Sequence, residues 1–168
     1  MRFERQRFPL ENFTPRRTDP QPTEDRVQSL TRLVYSSESR LVEENRTAEL
    51  KRMLSTARRL NEDNGITGFL LATTGAFAQV LEGRKETVEE TYGRIMLDPR
   101  HDNLNLLLDT PIGARIFDKW AMGFADADGT KAFIFGLYGV TPDNDLHRQP
   151  LDTVMDLASQ FSADHIGK

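Results

Sequence analysis

The 168-residue chain contains no cysteine. That absence removes disulfide scaffolds, Cys-ligated zinc, iron–sulfur clusters, thiol nucleophiles and any chemistry that ends in a cysteinyl adduct. No metal site is expected. Long hydrophobic runs are missing too: no apolar stretch approaches the roughly 20 residues that a membrane helix needs, which excludes a transmembrane reading. Positive charge is not in excess either. With 22 basic against 26 acidic residues, nothing is left over to neutralise phosphates along a nucleic acid, so neither nucleic acid nor a membrane is an expected partner. The start of the chain lacks the apolar segment of a secretory signal, and its arginines are mixed with Glu and Asp, unlike a transit peptide. The expected location is cytoplasmic.

What is present suits one domain with appendages, since a domain takes roughly 100 to 200 residues. Residues 1–29 form an N-terminal arm by composition, with four of the eight prolines (Pro9, Pro15, Pro20, Pro22), few aliphatics and mixed charge. Proline removes backbone donors and biases its neighbours toward extended conformations, so regular structure is disfavoured there. A loosely held tail is favoured over an arm anchored by Phe3, Phe8 and Phe13.

From Thr31 the periodicity becomes legible. Leu33-Val34-Tyr35 reads as a first strand. Leu50, Met53, Leu54, Ala57 and Leu60 recur at helical spacing between Arg46 and Asn64, with Asn45 or Thr47 as N-cap and Gly65 as the stop. Ile66–Leu71 and Phe77–Leu81 read as a hairpin around Thr73-Thr74-Gly75, closed by Gly83. A second helix is predicted over Lys85–Leu97, with Val88, Tyr92, Ile95 and Met96 inward. Two further strands follow, Leu104–Leu108 and Trp120–Phe124, with a short connecting element between Ile112 and Phe117. This order predicts an α+β, ferredoxin-like (βαββαββ) sheet over residues 30–126 with two helices on one face. Residues 127–168 form a C-terminal helical extension after a polar boundary at Ala125–Thr130.

Some residues are out of place for packing alone. Alternation puts Phe77, Gln79 and Leu81 on one face of their strand, so a glutamine lies between two large hydrophobes. Leu50, Leu54, Ala57 and Asn61 share one stripe of the first helix, and Tyr35 carries a hydroxyl into the same layer. A buried polar network accounts for any one of them. Together they also suit a pocket for a planar heteroaromatic ligand, because an amide matches a ring edge that presents C=O beside N–H. Arg94 and Asp98 are spaced as an i,i+4 surface pair, or as contacts to the hydroxylated or phosphorylated tail of such a ligand. His101 has no partner at a catalytic spacing and is assigned no chemistry. Trp120 and Met122 share a face of the last strand.

The segments Leu33–Ser37, Ala57-Arg58 with Asn61, Gly65–Gly68, Phe77–Gly83, Arg94-Ile95, Asp98–His101 and Trp120–Met122, in this order and spacing, resemble the BLUF family of flavin-binding blue-light sensors over about Thr31 to Phe124. The resemblance implies a flavin held between the two helices. It makes Tyr35 and Gln79 the photoactive pair and assigns Asn61 to the ring edge. It further assigns Arg94 and Asp98 to the ribityl and phosphate part, and Trp120 and Met122 to signal relay. The implied mechanism is proton-coupled electron transfer from tyrosine to the excited flavin, followed by rearrangement of the glutamine. FAD is the implied cofactor, with FMN or riboflavin open. Leu60 stands where many relatives carry Asn or His, and Ser39 where alanine is common.

The residues after Phe124 leave no room for a cyclase, phosphodiesterase or helix-turn-helix effector. A short, non-enzymatic photoreceptor is therefore expected to signal through an oligomer or an unidentified downstream protein. A flavin-binding module without photoswitching is the alternative. A small phosphatase-like enzyme would need a Gly-rich phosphate loop or a nucleophile paired with a base, and neither is seen. The apolar residues Phe133, Ile134, Phe135, Leu137 and Tyr138, with the stripe Leu151, Val154, Met155, Ala158 and Phe161, exceed what the far side of one small sheet needs. A homo-oligomer, at least a dimer, is expected, the alternative being that this segment caps its own sheet.

Overall fold

The computed structural model describes residues 29–164; residues 1–28 of the arm and the last four residues lie outside them. Five strands, β1 (Leu30–Ser39), β2 (Thr67–Ala72), β3 (Ala76–Arg84), β4 (His101–Ile112) and β5 (Gly123–Asp126), form one sheet in the order β4-β1-β3-β2-β5. All neighbours are antiparallel except β5, which runs parallel to β2. Helix α1 (Arg46–Asn64) links β1 to β2, and α2 (Lys85–Met96) links β3 to β4. Helices α3 (Gly129–Leu137) and α4 (Leu151–Asp164) follow the sheet. The architecture is ferredoxin-like with added C-terminal helices.

Strand alternation sorts the core into two layers. Leu33, Tyr35, Phe77 and Leu81 face Leu50 and Leu54 of α1 and Val88 of α2. Val34, Ala76, Ala78 and Val80 face the other way, onto Phe135, Leu146, Val154, Leu157 and Phe161. Helix α1 ends where its periodicity ends: Gly65 takes the left-handed conformation (φ 66°) and donates its N–H to the carbonyls of Asn61 and Glu62, a geometry that costs glycine no Cβ clash. Arg46, at the start of α1, grips Asp126 at the end of β5 through two bonds of 2.8 and 2.7 Å.

The connector between β4 and β5 is held from behind the sheet. Glu82 of β3, fully buried, pairs with Arg32 at 3.0 Å. Its other oxygen accepts the backbone N–H groups of Ile116 (2.8 Å) and Phe117 (3.3 Å). Arg115 donates to the carbonyls of Gly65 and Glu82.

Several boundaries differ from the sequence reading. β1 and β4 are longer than Leu33–Tyr35 and Leu104–Leu108, because they pair with each other almost throughout, across two register shifts. Gly83 does not close the hairpin but lies within β3. The last strand starts at Gly123 rather than Trp120. A Cβ at residue 123 would lie 2.4 Å from the Phe69 ring, so the pairing of β5 with β2 begins at a residue without a side chain, and Trp120 and Met122 precede it. The strand then runs to Asp126, into the stretch taken as a polar boundary. Met96 is exposed rather than inward, since α2 ends there. The C-terminal segment packs on its own sheet and so buries most of the apolar surface from which a homo-oligomer was expected. Phe133 and Leu137 of α3 remain exposed. No helix among the described residues is long and apolar enough to cross a membrane.

Candidate functional site

Tyr35 of β1 and Gln79 of β3 are direct cross-strand partners on the face under α1 and α2. Both are buried. The Tyr35 hydroxyl donates to Gln79 Oε1 at 2.5 Å, and Gln79 Nε2 donates to Met122 Sδ at 3.3 Å. This uses both ends of the amide, its acceptor toward the phenol and its donor toward the sulfur. Burial pushes the Tyr35 phenol well above its ordinary titration range, and the neighbouring Tyr92 and Asp98 push it the same way. Tyr35 is therefore a proton donor throughout the neutral range.

Beside this pair a cleft of about 820 Å³, counting its open mouth, runs between α1 and α2. Met53, Ala57, Leu70, Phe77, Leu81 and Ile95 give it apolar walls, and Tyr35, Asn61, Gln79, Arg94 and Asp98 all line it. A cleft with a few placed polar groups among hydrocarbon walls suits a planar organic ligand. Asn61, buried on the stripe of α1, donates through Nδ2 to the carbonyl of Ala121 at 2.8 Å. Its Oδ1 takes no hydrogen bond among the described residues. Leu60 adds a hydrocarbon wall where a polar contact was noted as missing.

The predicted i,i+4 contact between Arg94 and Asp98 is not formed. α2 ends at Met96, so Asp98 lies beyond the helical register. It pairs instead with Arg100 through bonds of 2.6 to 3.0 Å. Burial opposes ionisation of Asp98, but the hydrogen bonds and charge of Arg100 outweigh it and hold the carboxyl below its usual range. Arg94 bonds only Thr91 Oγ1 (3.1 Å) and has no ion-pair partner among the described residues. Its guanidinium, at a cleft that already neutralises its own carboxylate, is suited to an anionic ligand tail.

Sequence reasoning brought Tyr35, Asn61, Gln79, Arg94 and Asp98 to one cleft but gave no role to Thr56, Thr91, Arg100 or His101, which also line it. His101 stands edge-on to the rings of Tyr35 and Phe77 at 6.1 and 6.3 Å. One ring nitrogen meets Ser37 Oγ at 3.1 Å and the other the carbonyl of Ile95. The signal was available in β1, where Ser37 shares the face of Tyr35. Trp120 and Met122 do not share a strand face, and neither lines the cleft. Met122, buried, reaches Gln79, and its carbonyl accepts from Arg58 Nε at 3.0 Å. The Trp120 carbonyl accepts from the Gly68 N–H. No metal-binding group of side chains occurs among the described residues.

A family model described as BLUF, sensors of blue-light using FAD, matches residues 30–123. Photoactivated adenylate cyclase subunit beta of Euglena longa is 34% identical over 94 residues, which are 56% of this chain and 11% of that protein. The blue light- and temperature-regulated antirepressor BluF of Escherichia coli strain K12 is 38% identical over 97 residues, 58% of this chain and 24% of that protein. The chain thus spans a small part of the length of these relatives. Among solved structures, the dark state of BlrB, a BLUF protein, superposes with a TM-score of 0.67 at 28% identity, covering 82% of this chain and 98% of that one. The ground state of BlsA gives 0.69 at 28% identity, covering 79% and 87%.

Proposed function

The chain belongs to the BLUF family, and on that premise we propose that it is a blue-light sensor in which Tyr35 and Gln79 form the switch. One observation carries this reading: a buried phenol donating to a buried amide at 2.5 Å, in the wall of a cleft built for a planar ligand. BLUF domains bind flavin, and the Arg94 guanidinium, without an ion-pair partner among the described residues, favours a phosphorylated one, FAD or FMN; FAD is our assignment by resemblance to the family. A bound flavin would supply the absorption of blue light and an excited state able to accept an electron.

With a flavin bound, Tyr35 would be the electron donor to it, and its phenolic proton has an acceptor already in place at Gln79 Oε1; electron and proton would both return to Tyr35 as the ground state is restored. Exchange of donor and acceptor on the Gln79 amide then turns an oxygen toward Met122. A thioether cannot donate a hydrogen bond, so the tie between Gln79 and Met122 is lost, and the segment Trp120–Met122 carries the change outward. Asn61 orients the ring edge, and Arg94 and Asp98 the tail. We assign residues 1–29 to an arm, 30–126 to the sensor and 127–168 to an extension. The chain has no catalytic role in this reading and passes its signal, from the cytoplasm, to a partner protein or an oligomer.

The absorption spectrum of the purified protein tests the proposal. Bound flavin with a reversible red shift under blue light is expected. Flavin without a shift would leave a binding module that does not switch, and absence of flavin would refute the reading.

A further inference from the structure

A second pocket lies on the opposite face of the sheet, between the β2–β3 turn, α3 and the loop that leads to α4. It measures about 800 Å³, mouth included. Phe135, Val140 and Pro142 give it apolar walls, Thr74 and Gly75 belong to the turn, and the only charged residue lining it is Asp145. Asp145 is 7% exposed. Its Oδ1 is fully engaged, accepting from Thr73 Oγ1 at 2.5 Å and from the Leu146 N–H at 2.8 Å. Its Oδ2 accepts no hydrogen bond, and the residue forms no ion pair, among the described residues. Oδ2 is turned toward Gly75, where an added methyl group would lie 2.7 Å away. The turn thus leaves room for the free carboxylate oxygen by having no side chain.

Oδ1 is fixed by its two donors, while Oδ2 is open to the pocket with no cation within ion-pair distance among the described residues, so a positive group entering the pocket can meet it through a charge-assisted hydrogen bond. We infer that this pocket receives a cationic side chain, arginine or lysine, presented by a partner protein: its head pairs with Asp145 Oδ2 while its aliphatic stem lies against Phe135, Val140 and Pro142. Three features set the chemistry. The charge is single and negative, which selects a monocation. The walls are mostly apolar, with Phe135, Val140 and Pro142 beside the threonines Thr74 and Thr141, which favours a headgroup carried on an apolar stem over a hydrated metal ion. The pocket opens on the face turned away from the flavin cleft, so the inference stands apart from the photosensor reading.

Calorimetric titration of the full chain with n-propylguanidinium, the arginine side chain without its backbone, tests it. Saturable binding is expected, at least tenfold weaker in Asp145→Asn, which keeps the acceptor for Thr73 and Leu146 but removes the charge. It should stay within twofold in Asp143→Asn, a change at an exposed neighbouring carboxylate. Ala132→Trp, at an exposed position of α3 on the rim, should abolish binding without disturbing the core, and serves if Asp145→Asn does not fold. N-acetylarginine amide should bind at least as well as the alkylguanidinium. Absence of binding, equal binding to Asp145→Asn, or equal binding of bare guanidinium would overturn the inference. Rejection of the blocked arginine with the alkylguanidinium retained would make this a site for a free small amine and overturn the assignment to a protein side chain.

Discussion

Removing one oxygen atom from Tyr35 separates its chemical role from its packing role. Tyr35→Phe keeps the ring among Leu33, Phe77 and Tyr92 but leaves Gln79 Oε1 without its donor, at a cost of about 1–3 kcal/mol for an unsatisfied buried group. Flavin should stay bound and the light-induced red shift should vanish; a full shift in this variant would remove Tyr35 from the switch. The same phenol makes a prediction about pH. Its titration is raised in the fold above the ordinary value of 10.0, so the native state holds this proton where the unfolded chain has lost it. The contribution to stability is complete below about pH 10 and falls as pH rises beyond it. Urea unfolding at pH 9 and pH 11 should show a smaller loss in Tyr35→Phe than in the parent. Asn61→Ala removes both the bond to the Ala121 carbonyl and an amide facing the cleft. We expect weaker flavin retention, measured by equilibrium dialysis, with a stability loss of about 1–3 kcal/mol.

Elements were legible where one physical rule acted alone. The period of α1 and the stop at Gly65 are local, and both stand as read. The last strand was misplaced because Trp120–Phe124 is apolar enough for a strand, whereas pairing with β2 depends on the Phe69 ring, 54 residues earlier in the chain. The Arg94–Asp98 pairing failed for a similar reason, since i,i+4 spacing has meaning only while the helix lasts. Within the cleft, polar residues stood out against a hydrophobic period, but His101 is brought there by the pairing of β4 with β1 and carries no such mark. The hold of Glu82 on the β4–β5 connector was equally hidden. Glu82→Ala strands Arg32 and bares two backbone N–H groups, so it should cost roughly 3–5 kcal/mol, read as a lowered midpoint in chemical unfolding.

At the scale of the molecule, one sheet divides two environments, a cleft under α1 and α2 and a packed layer under α3 and α4 that opens at the Asp145 pocket. The second layer consumes most of the apolar surface of the C-terminal segment, which leaves Phe133 and Leu137 as its outward remainder. Because neither supports the fold, Phe133→Ser with Leu137→Ser should change thermal stability by less than about 0.5 kcal/mol; a large loss would mean that they are buried in solution against another surface. The connector that crosses from one environment to the other is pinned at Ile116 and Phe117 by Glu82, and again at Ala121 and Met122 by Asn61, Arg58 and Gln79. Only Asp118 and Lys119 lie between the pins, since the Trp120 carbonyl accepts from the Gly68 N–H. Such a tether has a fixed reach: two residues span at most about 7 Å when extended, so release at Met122 can swing the cleft end through a short arc but cannot pull Phe117 from its seat. Hydrogen exchange under illumination should therefore quicken from Asp118 to Met122 and stop short of Phe117, with the sheet acting as the fulcrum and its far layer staying still.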